Sequence, residues 1–256
     1  MINVTTPVLL DLNTQRDLFA PDGVFPVCEH SRFLDPLKKI FTAAHRLHIP
    51  VISTRLYNQV VVGQRGTPTR LVCHPQTPGY QKLAFTQLRR RMEMPTDCGT
   101  SLPVEGFHRT QQYIFDLPSM NLFECPRLDR LLSESSVAEY IIFGAPLEWT
   151  VRTAVLGLLQ RRIKVSLVST CVAQWDPYEG DMALRQIESK NVEWLTTEQC
   201  IERLSAKPKR PRLIEHRPGL TSASKSQLNT PHAPPASPPT RAAKVHSKSP
   251  AGKFRA

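Results

Sequence analysis

The residues best placed to do chemistry lie in one stretch, Tyr140 to Arg162. Tyr140-Ile-Ile-Phe143 reads as a buried strand, Gly144-Ala-Pro-Leu147 as a tight turn, and the residues from about Glu148 as a helix. That helix carries Trp149, Ala154, Val155, Leu158 and Leu159 at spacings of three and four, the period of one buried face. In an α/β sheet such a strand-turn-helix corner lies at the carboxyl edge, where ligands and nucleophiles are held. This chain offers Thr150 at the helix start. A threonine hydroxyl attacks a carbonyl only with a general base beside it. The acid best placed by pattern is Asp11, near the end of the apolar run Pro7-Val-Leu-Leu-Asp-Leu12. Its plainer role is a sheet-end acid accepting backbone hydrogen bonds. Cys125 and Cys171 are substitute nucleophiles by residue type. Cys171 follows a strand at the same edge and is the better of the two, although an inert buried thiol is the commoner outcome without a cationic neighbour. Asp116 and Glu148 are further candidate pocket acids, with a solvated loop acid as the plainer reading.

The elements that must position these groups are legible around them. Leu34, Leu37, Ile40, Phe41, Ala44 and Leu47 form a helical stripe, and Ile49-Pro-Val-Ile-Ser-Thr54 reads as the next strand. Strand, helix and strand in that order make a βαβ unit. Gln111 to Asp116 reads as a third strand, Pro126 to Leu132 as the start of a helix with proline in its first turn. Ile163 to Val168 gives a fifth strand, Tyr178 to Ser189 a helix, and Asn191 to Leu195 a sixth strand. Thr196-Thr-Glu-Gln199 has capping-box spacing and opens a last helix through Leu204. Residues 55 to 110 are irregular, and Gln87-Leu-Arg-Arg-Arg-Met92 within them reads as a solvated basic face in preference to a phosphate site. The expected architecture is therefore α/β, a three-layer sandwich around a six-stranded, mostly parallel, Rossmann-like sheet.

Composition divides the chain in two. The whole sequence has 33 Lys+Arg and 22 Asp+Glu. From Ser205 onward there are 11 Lys+Arg against Glu215 alone, a balance of +10, which leaves 22 against 21 before it. Nine of the 23 prolines also fall after Ser205, and large apolar residues are sparse there. Such a segment buries too little surface to offset its ordering entropy, so residues 1–204 are read as the folded domain and 205–256 as a disordered basic tail. Its densest cluster, Lys207-Pro-Lys-Arg-Pro-Arg212, is an expected site for unspecific attachment to nucleic acid or an acidic partner, the alternative being a solubilising tail. The six cysteines occur singly, with no C-x-x-C pair, as small apolar fillers do in a reducing compartment. With no signal-peptide pattern and no apolar run of spanning length, the expectation is a cytoplasmic protein away from the membrane.

Five segments, taken together, resemble the isochorismatase-like cysteine hydrolases, nearest to a nicotinamidase-related subgroup. They are Leu10-Asp-Leu-Asn-Thr-Gln-Arg-Asp-Leu-Phe19 with Pro21-Asp-Gly23; Ile49 to Thr54; Cys73-His-Pro-Gln-Thr-Pro-Gly-Tyr-Gln-Lys82; Phe123 to Leu132; and Glu148 to Arg161. The resemblance implies an aspartate at the end of the first strand, a lysine after the third, and a cysteine at the helix start after the fourth. The thiolate attacks an amide or related carbonyl, and the aspartate moves the proton. Carried onto this chain, the aspartate is Asp11. Counting back from Phe123 puts the lysine position at Leu117, and counting on from Gly144 puts the cysteine position at Thr150. On that count two of the three catalytic groups are lost. The oxyanion turn corresponds to Gly144, Ala145, Pro146 and Leu147, where proline removes one N–H donor. Nicotinamidases carry a metal-binding Asp and two His after the second strand. Ser53-Thr-Arg-Leu-Tyr-Asn-Gln59 has neither residue type, and His74 stands without partners at ligand spacing, so no metal and no cofactor is implied.

The reading that follows is an inactive pseudo-hydrolase that keeps the fold for ligand binding, scaffolding or regulation, with a small molecule in the remnant pocket as one expected partner. Its alternatives are a divergent amide hydrolase using Asp11 with Thr150 or Cys171, and a nucleic-acid or acidic-partner binder acting through the tail. The resemblance also implies a homo-oligomer.

Overall fold

The computed structural model describes residues 3–4, 6–61, 69–94, 97, 99–102, 107 and 109–206. The compact unit spans Met1–Arg210; the second unit, Pro211–Ala256, lies outside the described residues, and so does the cluster 207–212.

Seven strands make the central sheet: β1 Val8–Leu12, β2 Val51–Leu56, β3 Arg91–Glu93, β4 Gln112–Leu117, β5 Tyr140–Gly144, β6 Val165–Val172 and β7 Glu193–Leu195. Their order is β7-β6-β5-β1-β2-β4-β3, and every neighbouring pair is parallel. Parallel strands covered on both faces read as unbroken apolar runs, and β1, β2 and β5 are buried at every residue. The sequence pattern predicts six of the seven. The seventh, β3, is formed by the end of the basic run, whose Arg91, Met92 and Glu93 are all exposed at the sheet edge. An edge strand with charged, exposed side chains carries no apolar signal to find it by.

Apart from a single turn at Arg16–Phe19, the α-helices among the described residues are α1 His30–Leu47, α2 Pro126–Glu134, α3 Arg152–Gln160, α4 Pro177–Glu188 and α5 Thr197–Ser205. Helix α1 packs against α5, and α3 against α4. The capping box at Thr196 is present, its hydroxyl accepting from the Gln199 N–H and the Gln199 side chain accepting from the Thr196 N–H. No described helix is long and apolar enough to cross a membrane.

Chain order places the site. From β1 the chain winds outward to β2, and later returns to lay β5 on the other side of β1. Ligand crevices in open parallel sheets form outside the carboxyl ends of the strands at such a reversal. Asp11 is paired in register with Phe143, and Leu12 with Gly144, so the acid and the corner emerge side by side.

The corner itself is built on a close approach. Gly144 has φ +122°, and a Cβ there would meet the Leu12 carbonyl oxygen at 1.9 Å. The Ala145–Pro146 peptide is cis, and a single turn of π-helix, Leu147–Val151, leads into α3. Replacing Gly144 with alanine should therefore cost about 3 kcal/mol or more of stability, through a forbidden φ and a backbone clash together. Urea unfolding of Gly144→Ala against wild type measures it, and a loss under about 1 kcal/mol would contradict the account of the corner.

Candidate functional site

The centre of the site is an ion pair that counting along the chain did not locate. Lys82 Nζ lies 2.9 Å from Asp11 Oδ2, with 1% and 0% of the two side chains exposed. Backbone bonds clamp the lysine in place: Arg16 N–H donates to the Gln81 carbonyl (2.9 Å) and Leu83 N–H to the Thr14 carbonyl (2.9 Å), with Gln15 and Lys82 as a bridge pair. The Lys82 ammonium also donates to the Thr54 carbonyl at 3.1 Å. Asp11 Oδ1 accepts from the Thr14 hydroxyl (2.8 Å) and Oδ2 from the Ser53 hydroxyl (2.7 Å). Ser53 in turn accepts from Gln112 Nε2 (2.8 Å), and Gln112 also binds the Thr86 carbonyl and the Leu88 N–H. Burial pushes the Lys82 ammonium below its usual range, and the Asp11 charge opposes that.

Leu117 plays no such part. It ends β4 with its side chain fully buried in the apolar core, and the cation that meets Asp11 comes from Lys82 instead. The reason is geometric: Lys82 lies in the irregular stretch between β2 and β3, whose length no periodicity constrains, and the bridge to Gln15 decides which residue faces Asp11. The segment Cys73 to Lys82 ends on this lysine, and its residue type was the one available signal.

Thr150 is fully buried in the π-turn. Its hydroxyl bonds Met120 Sδ at 3.7 Å, and the carboxylate of Asp11 is bonded to Thr14, Ser53 and Lys82. Nucleophile and base are thus not joined by the hydrogen bond that activates a hydroxyl. The turn is equally committed. The Ala145 N–H donates to the Leu12 carbonyl (2.9 Å), the Leu147 N–H donates to the Ala173 carbonyl (2.8 Å), and Pro146 has none. The Ala145 carbonyl accepts from Asn13 Nδ2 at 2.8 Å. An oxyanion would have to find its donors further along, from Glu148 to Thr150.

The remaining candidates have other partners. Cys171 is buried in β6, which pushes its thiol up to about 12, away from nucleophilic thiolate character. Burial raises the Cys125 thiol as well, against the pull of the Leu128 and Arg127 N–H groups. Glu148 is buried with Oε1 accepting from the Trp175 and Asp176 N–H groups (2.9 Å each), while Oε2 has no hydrogen-bond partner among the described residues. Burial raises its pKa. Asp116 grips Arg55 at 2.7 and 3.2 Å, and Arg55 also reaches Glu93 at 3.0 Å and lies over the Tyr80 ring. The residues following β2 do not make a metal donor set: Gln59 Nε2 donates to the Tyr57 and Pro118 carbonyls, and His74 Nδ1 accepts from the Gln76 N–H. Among the described residues no three His, Cys, Asp or Glu side chains converge.

Residues 7–199 match the family model of the isochorismatase domain. The chain belongs to that family. Solved structures of similar fold include the pyrazinamidase of Pyrococcus horikoshii in complex with zinc, at 21% identity and TM-score 0.55, covering 74% of this chain and 98% of that one. The MAR1 ribonuclease from Caenorhabditis elegans aligns at 18% identity and TM-score 0.54, over 89% and 99% of the two chains. A nicotinamidase/pyrazinamidase from Bacillus subtilis aligns at 14% identity and TM-score 0.56, over 74% and 98%. No curated protein matches the chain. At these identities the likeness is one of fold, and the family's chemistry has to be judged from the residues above.

The ion pair makes a testable statement about stability. Removing one partner of a buried pair leaves a desolvated charge, which costs about 3–5 kcal/mol. Lys82→Met should lose that much in urea unfolding, and the double variant Lys82→Met with Asp11→Leu should recover most of it. Equal losses in the single and double variants would show that the pairing itself contributes nothing.

Proposed function

We propose that this chain is a non-catalytic member of the isochorismatase family, in which the Asp11–Lys82 pair serves as a buried polar core and function has moved to the protein's surfaces. The observation that carries this reading is closure. Asp11 and Thr150 have no exposed surface and the Lys82 side chain has 1%, so the three groups offer a substrate almost no accessible surface. A substrate carbonyl needs a position about 3 Å from both nucleophile and oxyanion donors. Here Thr150 is turned to Met120, and the corner's own N–H groups are spent.

A second reading is favoured by one observation, the intact Asp11–Lys82 pair: a divergent hydrolase of amide C–N bonds with Asp11 as base and Thr150 as nucleophile. One experiment separates the two. The purified full-length protein is assayed against nicotinamide, pyrazinamide and an activated ester, and separately treated with a carbonyl electrophile before mass mapping. We expect no turnover above buffer and no adduct at Thr150 or Cys171. Turnover that falls about 100-fold or more in Thr150→Ala, or an adduct on Thr150, establishes the hydrolase instead. A Thr150→Cys variant adds an independent readout of closure. Its thiol should resist acrylamide in the folded protein and react once the protein is unfolded in urea.

A further inference from the structure

The basic run after Lys82 has a use that the buried site does not absorb. The segment Lys82 to Arg89 faces two ways. Inward it presents Lys82 to Asp11 and Thr86 to Thr14 (3.2 Å). Outward it presents Phe85, Gln87 and Arg89 to a groove of about 340 Å³, whose other wall is Phe41, Thr42 and His45 of α1. Lys38, one turn before Thr42, holds its ammonium 5.7 Å from the centre of the Phe85 ring.

The charge in this groove is of one sign. Among the described residues no carboxylate lines it. Arg89 is exposed, and among the described residues no acid pairs with it. Arg90 and Arg91 continue the exposed run. Lys38 has Asp35 at 3.3 Å, but both side chains are more than half exposed, so water and salt screen the pair and a competing anion can displace it. The floor is fixed: Leu88 N–H donates to Gln112 Oε1 (2.7 Å), the Thr86 hydroxyl to the Leu83 carbonyl (2.8 Å), and Gln87 Nε2 to the Lys82 carbonyl (3.2 Å). A cleft of this size, with one half-buried aromatic ring, Arg89 in its wall and the Lys38 ammonium beside that ring, suits a planar base beside a phosphate.

We propose that this groove binds a nucleotide, free or as a unit of a single strand, with the base against Phe85 and the phosphate between Lys38 and Arg89. Nothing in this depends on whether the buried site is catalytic. Binding is measured on the full-length protein by fluorescence anisotropy of a short, labelled oligouridine, with adenosine monophosphate and inorganic phosphate as competitors. Every variant is built on a background carrying Lys207→Ala, Lys209→Ala, Arg210→Ala and Arg212→Ala, so that the tail's own charge does not mask the groove. Lys38→Ala with Arg89→Ala should weaken binding about tenfold or more, and should flatten the dependence on salt between about 50 and 200 mM by about one to two phosphate contacts. Phe85→Leu, which keeps the apolar packing and removes the ring, should weaken it without changing the salt slope. Competition by the mononucleotide at concentrations where phosphate is inert identifies a free nucleotide as the ligand; binding of the strand alone identifies a strand. Unchanged affinity in the Lys38/Arg89 variant, or phosphate competing as well as the mononucleotide, overturns the proposal.

Discussion

The contact between Lys82 and Asp11 is the constraint around which the carboxyl edge of the sheet is arranged. Taking both charges out of water costs several kcal/mol for each ion, and the attraction between them offsets this only if the remaining donors and acceptors are satisfied. The surrounding elements do that. Strand β2 contributes the Ser53 hydroxyl and the Thr54 carbonyl, the chain after β1 contributes Thr14, and β4 holds Ser53 in place through Gln112. Strand β2, the Lys82 segment and β4, all distant in sequence from Asp11, are thereby tied to one carboxylate, which rigidifies this edge.

The same rigidity holds the family frame at the corner. The corner after β5 is held by a glycine that only fits as glycine, by two N–H bonds and by the Asn13 amide on the Ala145 carbonyl. Those bonds position Thr150 at the helix start, and they occupy the N–H groups of Ala145 and Leu147, leaving the residues from Glu148 to Thr150 as the remaining donors for an oxyanion. The threonine hydroxyl there bonds a sulfur, and Asp11 is bonded to Thr14, Ser53 and Lys82, so the hydrogen bond that would activate the hydroxyl is not made. The segment that carries Lys82 toward this site lines a groove with Phe85, Gln87 and Arg89 on its other side.

Strand and helix identities in this chain were legible because their burial is periodic or complete. Strands β1, β2 and β5 are buried throughout, and α1 buries Phe33, Leu37, Ile40, Phe41 and Ala44 along one stripe. Asp11, the Gly144 corner and Thr150 were legible for the same reason, since each follows directly from an unambiguous strand. Strand β3 was not, because Arg91, Met92 and Glu93 are placed by backbone pairing with β4 and, for Glu93, by Arg55, and their exposed side chains carry no apolar pattern.

The sequence by itself determined the mostly parallel α/β fold, the aspartate near the strand end and the absence of a thiol at the helix start, while the strand order that reverses between β1 and β5 came from the sheet. Tertiary structure alone decided which lysine completes the pair. Counting along the chain arrives at Leu117, because it assumes a fixed length between elements; Lys82 reaches Asp11 through an irregular stretch pinned by its bridge to Gln15. Whether the site is open was likewise a matter of packing in three dimensions, since burial of Asp11, Lys82 and Thr150 depends on neighbours from β2, β4 and the loop bearing Met120 rather than on the residues flanking each in sequence.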